Sequence, residues 1–248
     1  MSRFGSLAAM ITALPLACAQ AQTAPTQRAA EEAMPAGTSR MAGATTLLVE
    51  DVLPWGYRSN ENVLESLGVA FDTVHSSGFG SVNLDRYATI ILASDQSQAF
   101  YDALATRVAA IDKWLRTGAR TLEVHAAFQS SLHWDFDLPG RVHATWDGQH
   151  TNVLTWADDP LTQGMPDEMH GDYASHVRFE RPHVVKAHVL VATGDRPRRP
   201  VMIDYCVGTG RVIATGQTVE YAYHAGWDFA PALVNMITAS TATPGCPS

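Results

Sequence analysis

Between residues 87 and 125 the chain runs YATIILA, then a long amphipathic stretch, then TLEVH, and this succession narrows the folds open to it. In residues 99–117, Phe100, Leu104, Val108, Ile111 and Leu115 recur at helical spacing and make one apolar stripe. Asp102, Arg107, Asp112 and Arg116 lie off that stripe, and Gly118 supplies the stop. Residues 87–93 are apolar but for Thr89, a run continuous enough for a parallel strand covered on both faces. A helix that carries the chain back to start a second strand implies a right-handed crossover and parallel pairing.

The same logic extends in both directions. Residues 45–52 (TTLLVEDV) and 69–75 (VAFDTVH) read as two further strands. They flank a helix over 61–67 that Asn60 would cap and Gly68 would close. The result is an α/β chain with a doubly wound, mostly parallel sheet. Residues 128–180 are less regular and rich in aromatics and histidine, and are expected to form loops, short strands and a sheet edge. Strands follow at 184–193, 201–205 and 211–215, the last two joined as a hairpin through Gly208-Thr209-Gly210. Residues 229–239 close the domain as a helix.

Residues 1–21 read as a signal peptide: Arg3 precedes the apolar run LAAMITALPL, which is too short to span a bilayer. Ala19-Gln20-Ala21 then offers a cleavage site, so the chain is expected to be exported, periplasmic or secreted. A lipid anchor at Cys18 is the alternative, although Pro15 stands where a lipobox wants Leu. Residues 22–43 read as a flexible leader, 44–240 as the domain and 241–248 as a tail. Once Cys18 is set aside, Cys206 and Cys246 are an even pair for an oxidising compartment, either bridged or free. The formal charge of −8, with no basic cluster beyond RPRR at 196–199, argues against a nucleic-acid partner. No segment after the export signal is apolar enough to cross a membrane, and the pattern leaves oligomeric state open.

Taken in order, TTLLVEDV, LDRYATIILASDQ, WLRTGARTLEVHAA, NVLTWADDPLTQGMP, YASHVRF and VMIDYCVGTGRVIATGQTVEY resemble the class I glutamine amidotransferase-like superfamily, including its trehalose-utilisation-type branch. The resemblance covers about residues 45–240 and implies a flavodoxin-like three-layer sandwich. It also implies a Cys or Ser nucleophile on the turn after the strand that follows the long helix, paired with a His that an acid orients. Here that turn reads His125-Ala126-Ala127, Gln217 stands at the His position, and only Glu220 matches the orienting acid. Glutamine amidotransferase activity is therefore not expected.

His125, at the end of a central strand, is a candidate base, donor or ligand, or else a histidine plugging a degenerate site. His176, near Asp172 and Tyr173, is a second candidate, the alternative being a loop residue bonded to carbonyls. Glu50 and Asp51, at the end of the first strand, would sit at the cleft mouth or cap the next turn. Trp55, Gln217 and Tyr221 complete the ligand-binding candidates. Trp134, Phe136, Trp146, Trp156, Tyr173, Tyr221, Tyr223 and Trp227 could wall a sugar or other flat ligand, or pack in the core. Seven histidines between 133 and 188 lack HExxH, finger or H-x-H spacing, so neither metal nor other cofactor is expected. The leading expectation is an exported domain, without the Cys-His pair, that binds a small molecule, glycan or partner in the cell envelope. The alternative is a hydrolase or isomerase working by acid–base catalysis through His125, His176 and Glu220.

Overall fold

In the computed structural model, residue 43, residues 45–133 and residues 137–247 are described. The signal peptide with Cys18, the leader up to residue 42, Trp134 and Phe136 lie outside the described residues. Nine strands form one sheet: β1 (Thr46–Val49), β2 (Phe71–Val74), β3 (Thr89–Leu92), β4 (Thr121–His125), β5 (His143–Leu154), β6 (Glu168–Glu180), β7 (His188–Thr193), β8 (Pro200–Val207) and β9 (Gly210–Thr215). Their order is β2-β1-β3-β4-β9-β8-β7-β5-β6.

The first five strands in that order pair in parallel, and β9 through β6 pair antiparallel. The sheet is thus mixed, which corrects the expectation of a mostly parallel one. β4 and β9 are parallel neighbours, but among the described residues no α-helix lies between them, and the antiparallel strands β5 to β8 make the crossover instead. The middle of the chain therefore returns by hairpins. The long β5–β6 hairpin replaces the loops and short strands expected at 128–180. Its register shifts between Trp146 and Gln149 and again before Thr151, which breaks the two-residue alternation that would have announced it. The β8–β9 hairpin turns at Gly208, whose φ is +64°.

Strand residues alternate between two apolar clusters, as pleating requires. Leu47, Val49, Ile90, Leu92, Leu122 and Val124 meet α2 (Ser76–Phe79), α3 (Gln98–Ala105) and α4 (Val108–Arg116) through Phe79, Phe100, Leu104, Ile111 and Leu115. Leu48, Ile91 and Ile213 meet α1 (Ser59–Ser66), α5 (Val219–Ala225) and α6 (Pro231–Ala242) through Val63, Leu64, Val219, Leu233 and Met236. The single helix expected over 99–117 is two, parted at Thr106-Arg107, where the Thr106 hydroxyl donates back to the Ala103 carbonyl at 2.7 Å. Both pieces still deliver the same stripe to the sheet. Residues 182–185 form a 3-10 turn rather than the start of the strand expected over 184–193. Helices α2 and α5 had no counterpart in the sequence pattern. Among the described residues no helix is long and apolar enough to cross a membrane.

The C-terminal segment is tied down. Cys206 on β8 is bridged to Cys246, and the backbone N–H groups of Gly245 and Cys246 donate to Thr121 Oγ1 and the Thr209 carbonyl, each at 3.0 Å. The bridge spans a sequence separation of 40, a closure that stabilises by about 4 kcal/mol in the chain-entropy model. Replacing both cysteines by serine is expected to lower the urea-unfolding free energy by about that amount, with the fold retained. An unchanged midpoint would show that the tail adds nothing to stability.

Candidate functional site

β4 carries the turn where the nucleophile of the resembling family would stand. Leu122 and Val124 point to one apolar cluster, so Glu123 and His125, two residues apart, share the other face. Both are fully buried, and they are not alone. His125 Nε2–H donates to Glu123 Oε1 and Nδ1–H donates to Glu220 Oε1, each at 2.8 Å. Glu220, from the first turn of α5, also accepts from Ser94 N at 3.0 Å and Ser94 Oγ at 2.8 Å. The Ser240 hydroxyl of α6 donates to Glu123 Oε2.

With both carboxyls ionised, each ring nitrogen carries hydrogen, and the ring is an imidazolium. Burial alone would lower its pKa, but the two carboxylates outweigh that and push it up to about 10. Burial works against ionised Glu220 too, yet the adjacent His125 and Ser94 hold its carboxyl below the usual range. His125 and Glu220 are therefore brought together, but as a sealed ion array with no open edge. The turn beyond, Ala126-Ala127-Phe128, is equally buried and offers no nucleophile.

An open cleft lies beside this array, at the ends of the parallel strands. It has a volume of about 340 Å³ and is lined by Trp55, Gln129, Ser130, Trp146, Asp172, Tyr173, His176, Thr218 and Tyr221. Trp55 comes from the 3-10 turn Pro54–Gly56 after β1, and its backbone has φ of +56°. That conformation is costly for a bulky residue and is held in place by Asp95. Asp95 Oδ2 accepts from Trp55 N at 3.1 Å and Oδ1 accepts from Gln129 Nε2 at 2.9 Å, joining the turn after β1 to the loop after β4. Burial raises the Asp95 pKa against the pull of these two bonds.

The far wall comes from β6, which folds over the sheet end. His176 N and Val177 N both donate to the Gly216 carbonyl, at 2.9 and 3.3 Å. Gly216 has to be glycine, since a Cβ there would collide with the Val177 carbonyl. This docking presents His176 to the cleft. Its Nδ1–H donates to the Phe128 carbonyl at 3.0 Å, which fixes the tautomer and leaves Nε2 as an acceptor. Burial lowers the His176 pKa, only partly offset by that carbonyl and by Asp172, so the ring is neutral at pH 7. Trp55 meets His176 edge-on at 5.2 Å and Tyr221 at 6.3 Å, and Tyr173 meets His176 at 5.3 Å. Trp146 and Tyr173 are 42% and 40% exposed, and the Tyr173 ring also meets that of His150 at 4.8 Å.

Of the residues expected at a site, Trp55, His176 and Tyr221 converge on this cleft, with Trp146 and Tyr173 from the aromatic group. Five do not line it. His125 and Glu220 are in the sealed array. Asp51 is turned toward α2, where it accepts from Ser76 N at 2.6 Å and Ser76 Oγ at 2.7 Å. Gln217 is buried, with its Nε2 against Met169 Sδ at 3.4 Å. Glu50 is buried rather than at the cleft mouth, and neither of its carboxyl oxygens has a hydrogen-bond partner. Burial, with Glu61 and Glu220 nearby, pushes its pKa well above the usual range. Among the described residues no group of three or more His, Cys, Asp or Glu side chains could hold a metal ion.

The pattern missed Glu123, Ser94 and Ser240 in the array, and Asp95, Gln129, Ser130 and Thr218 at the cleft. Only Glu123 had a local signal: two ionisable residues at a spacing of two in a buried strand share a face and need partners.

No family model matches the chain. An uncharacterised protein of Clostridium acetobutylicum is 29% identical over 196 residues, which is 77% of this chain and 20% of that protein. The chain thus spans only a small part of that relative's length. Among solved structures, a GMP synthase-like protein from Thermoplasma acidophilum superposes with a TM-score of 0.51 at 11% identity, over 79% of this chain and 94% of that one. A cytoplasmic protein of Salmonella typhimurium LT2 gives 0.50 at 10% identity, over 79% and 98%. A glutamine amidotransferase of Thermotoga maritima gives 0.48 at 10% identity, over 82% and 92%. The first two superpositions speak for a shared fold, and identity this low does not speak for shared chemistry.

Two stability outcomes follow from the array. Substituting His125→Ala strands two buried carboxylates and is expected to cost about 3–5 kcal/mol in chemical denaturation. The contribution of His125 is complete below the ordinary histidine value of 6.5 and is lost as pH rises through about 10. Glu50 acts in the same direction from a lower pH, because a raised carboxyl pKa makes stability fall as pH climbs above the ordinary value of 4.5. Glu50→Gln should remove that decline, worth about 1.4 kcal/mol per pH unit while it lasts. A pH profile of unfolding free energy that is identical in the Gln variant would contradict this assignment.

Proposed function

Since the chain has the class I glutamine amidotransferase-like fold, with alanines after β4 where that family's nucleophile would stand, we propose that it is an exported binding domain without the Cys-His pair. Its ligand is a glycan or similar polyhydroxylated molecule of the cell envelope. We read the parallel strands and their helices as a flavodoxin-like three-layer sandwich, with the antiparallel hairpins as an added wall. Support for export comes from the apolar N-terminal run and from the Cys206–Cys246 bridge, which suits an oxidising compartment.

The observation that carries the binding reading is the lining of the 340 Å³ cleft: four aromatic rings with amide, hydroxyl, imidazole and carboxylate groups between them. Ring faces of Trp55, Trp146, Tyr173 and Tyr221 suit the flat C–H faces of a sugar. Gln129, Ser130, Asp172, His176 and Thr218 suit its hydroxyls. Among the described lining residues there is no lysine or arginine to offer an anionic ligand a counter-charge.

A second reading, hydrolysis by acid–base chemistry, rests on His176 alone, whose Nε2 is neutral and faces the cleft. Titration of the protein with soluble oligosaccharides, followed by tryptophan fluorescence and calorimetry, tests both readings. Trp55→Ala is expected to weaken binding by about 2 kcal/mol, as loss of a central aromatic anchor does. Sugar turnover that disappears in His176→Ala would favour the hydrolase. Saturable binding without turnover supports the binding domain, and absence of binding to any sugar would contradict it.

A further inference from the structure

The cleft does not end at Trp146. A second, more open groove of about 740 Å³ runs on from it, lined by Val108, Leu132, His133, Asp137, His143 and Thr145 among others. The two share Ser130 and Trp146 in their linings, so Trp146 stands as a post between adjoining spaces rather than at the end of one. Trp146 sits on β5 just before the register shift with β6, and its ring is 42% exposed. The first space is rich in aromatic rings, and half of the second's described lining residues carry side chains that exchange hydrogen bonds. In the groove, His143 Nδ1 lies 3.0 Å from Asp137 Oδ1, and Arg181 Nη2 donates to the same oxygen at 2.9 Å. Among the described lining residues, the groove's one carboxylate is thus already neutralised and unsuited to holding a cationic ligand.

We infer that the ligand is a linear oligosaccharide that spans both spaces, with one unit among the rings of the cleft and further units past Trp146 in the groove. This rests on the binding reading above and adds the ligand's length and direction. A chain of repeating neutral hydroxylated units matches a path on which an apolar, ring-lined end is followed by a polar, charge-compensated one. A single sugar would fill only the cleft and leave the groove to water. A peptide is the competing occupant, and it is an arm of the test.

The experiment uses cello-, chito-, malto- and xylo-oligosaccharides of one to six units, with unrelated hexapeptides alongside, titrated calorimetrically into the chain. Affinity within the series that binds is expected to rise by about tenfold or more between the shortest binding member and the plateau. His143→Ala and Val108→Trp, the latter filling the groove, should remove that gain while leaving affinity for the shortest binding member unchanged. Variants are checked by near-UV circular dichroism, and His143→Ala suffices if Val108→Trp does not fold. Equal affinity at every length, or a length gain untouched by either groove variant, overturns the spanning ligand but leaves a sugar-binding cleft. Hexapeptide binding that Val108→Trp abolishes assigns the groove to peptides and overturns it too. No binding at any length defeats the binding reading itself.

Discussion

One buried cation organises the region around the site. His125 at the end of β4 donates to Glu123 on its own strand and to Glu220 on α5, and the two carboxylates are held in turn by Ser240 of α6 and Ser94 after β3. Strand, loop and two helices are thereby fixed to one point. A buried imidazolium is stable only while both partners are ionised and bonded, so each element constrains the others. Two carboxylates to one cation also leave residual negative charge. Glu50 registers it, since Glu220 is among the groups that push its pKa up.

That arrangement places a structural ion where the resembling family keeps chemistry. A catalytic imidazole must lose and regain a proton near neutral pH and must reach its substrate. His125 meets neither condition, being locked as a cation and sealed from solvent. His176 is the opposite case: neutral, fixed in one tautomer by the Phe128 carbonyl and turned to the cleft. The histidine that the motif order singles out is thus bonded on both sides within the buried array, and the one on the edge strand lines the cleft.

How much of this could be read from the sequence follows from how local each signal is. The parallel half was legible because its strands are short apolar runs and the α3–α4 stripe keeps one helical face despite the break at Thr106. The antiparallel half was not, since register shifts spoil the alternation in β5 and β6. Trp55, His176 and Tyr221, singled out by type and by their place near strand ends, line the cleft. Gln217 and Asp51 were misplaced because side-chain direction there depends on long-range partners, Met169 in one case and Ser76 in the other. Asp95 and Gln129 gave no local signal at all. Their roles come from a bond between loops that are 34 residues apart.

The ring nitrogens of the two histidines, followed by ¹⁵N NMR from neutral pH upward, test the central assignment most directly. The account predicts His125 with both nitrogens protonated at pH 7, releasing a proton only near pH 10, while His176 is a neutral Nδ1–H tautomer at pH 7. A neutral His125 at pH 7, titrating like an ordinary histidine, would mean that the array is not an ion lock, and acid–base chemistry would return to the end of β4.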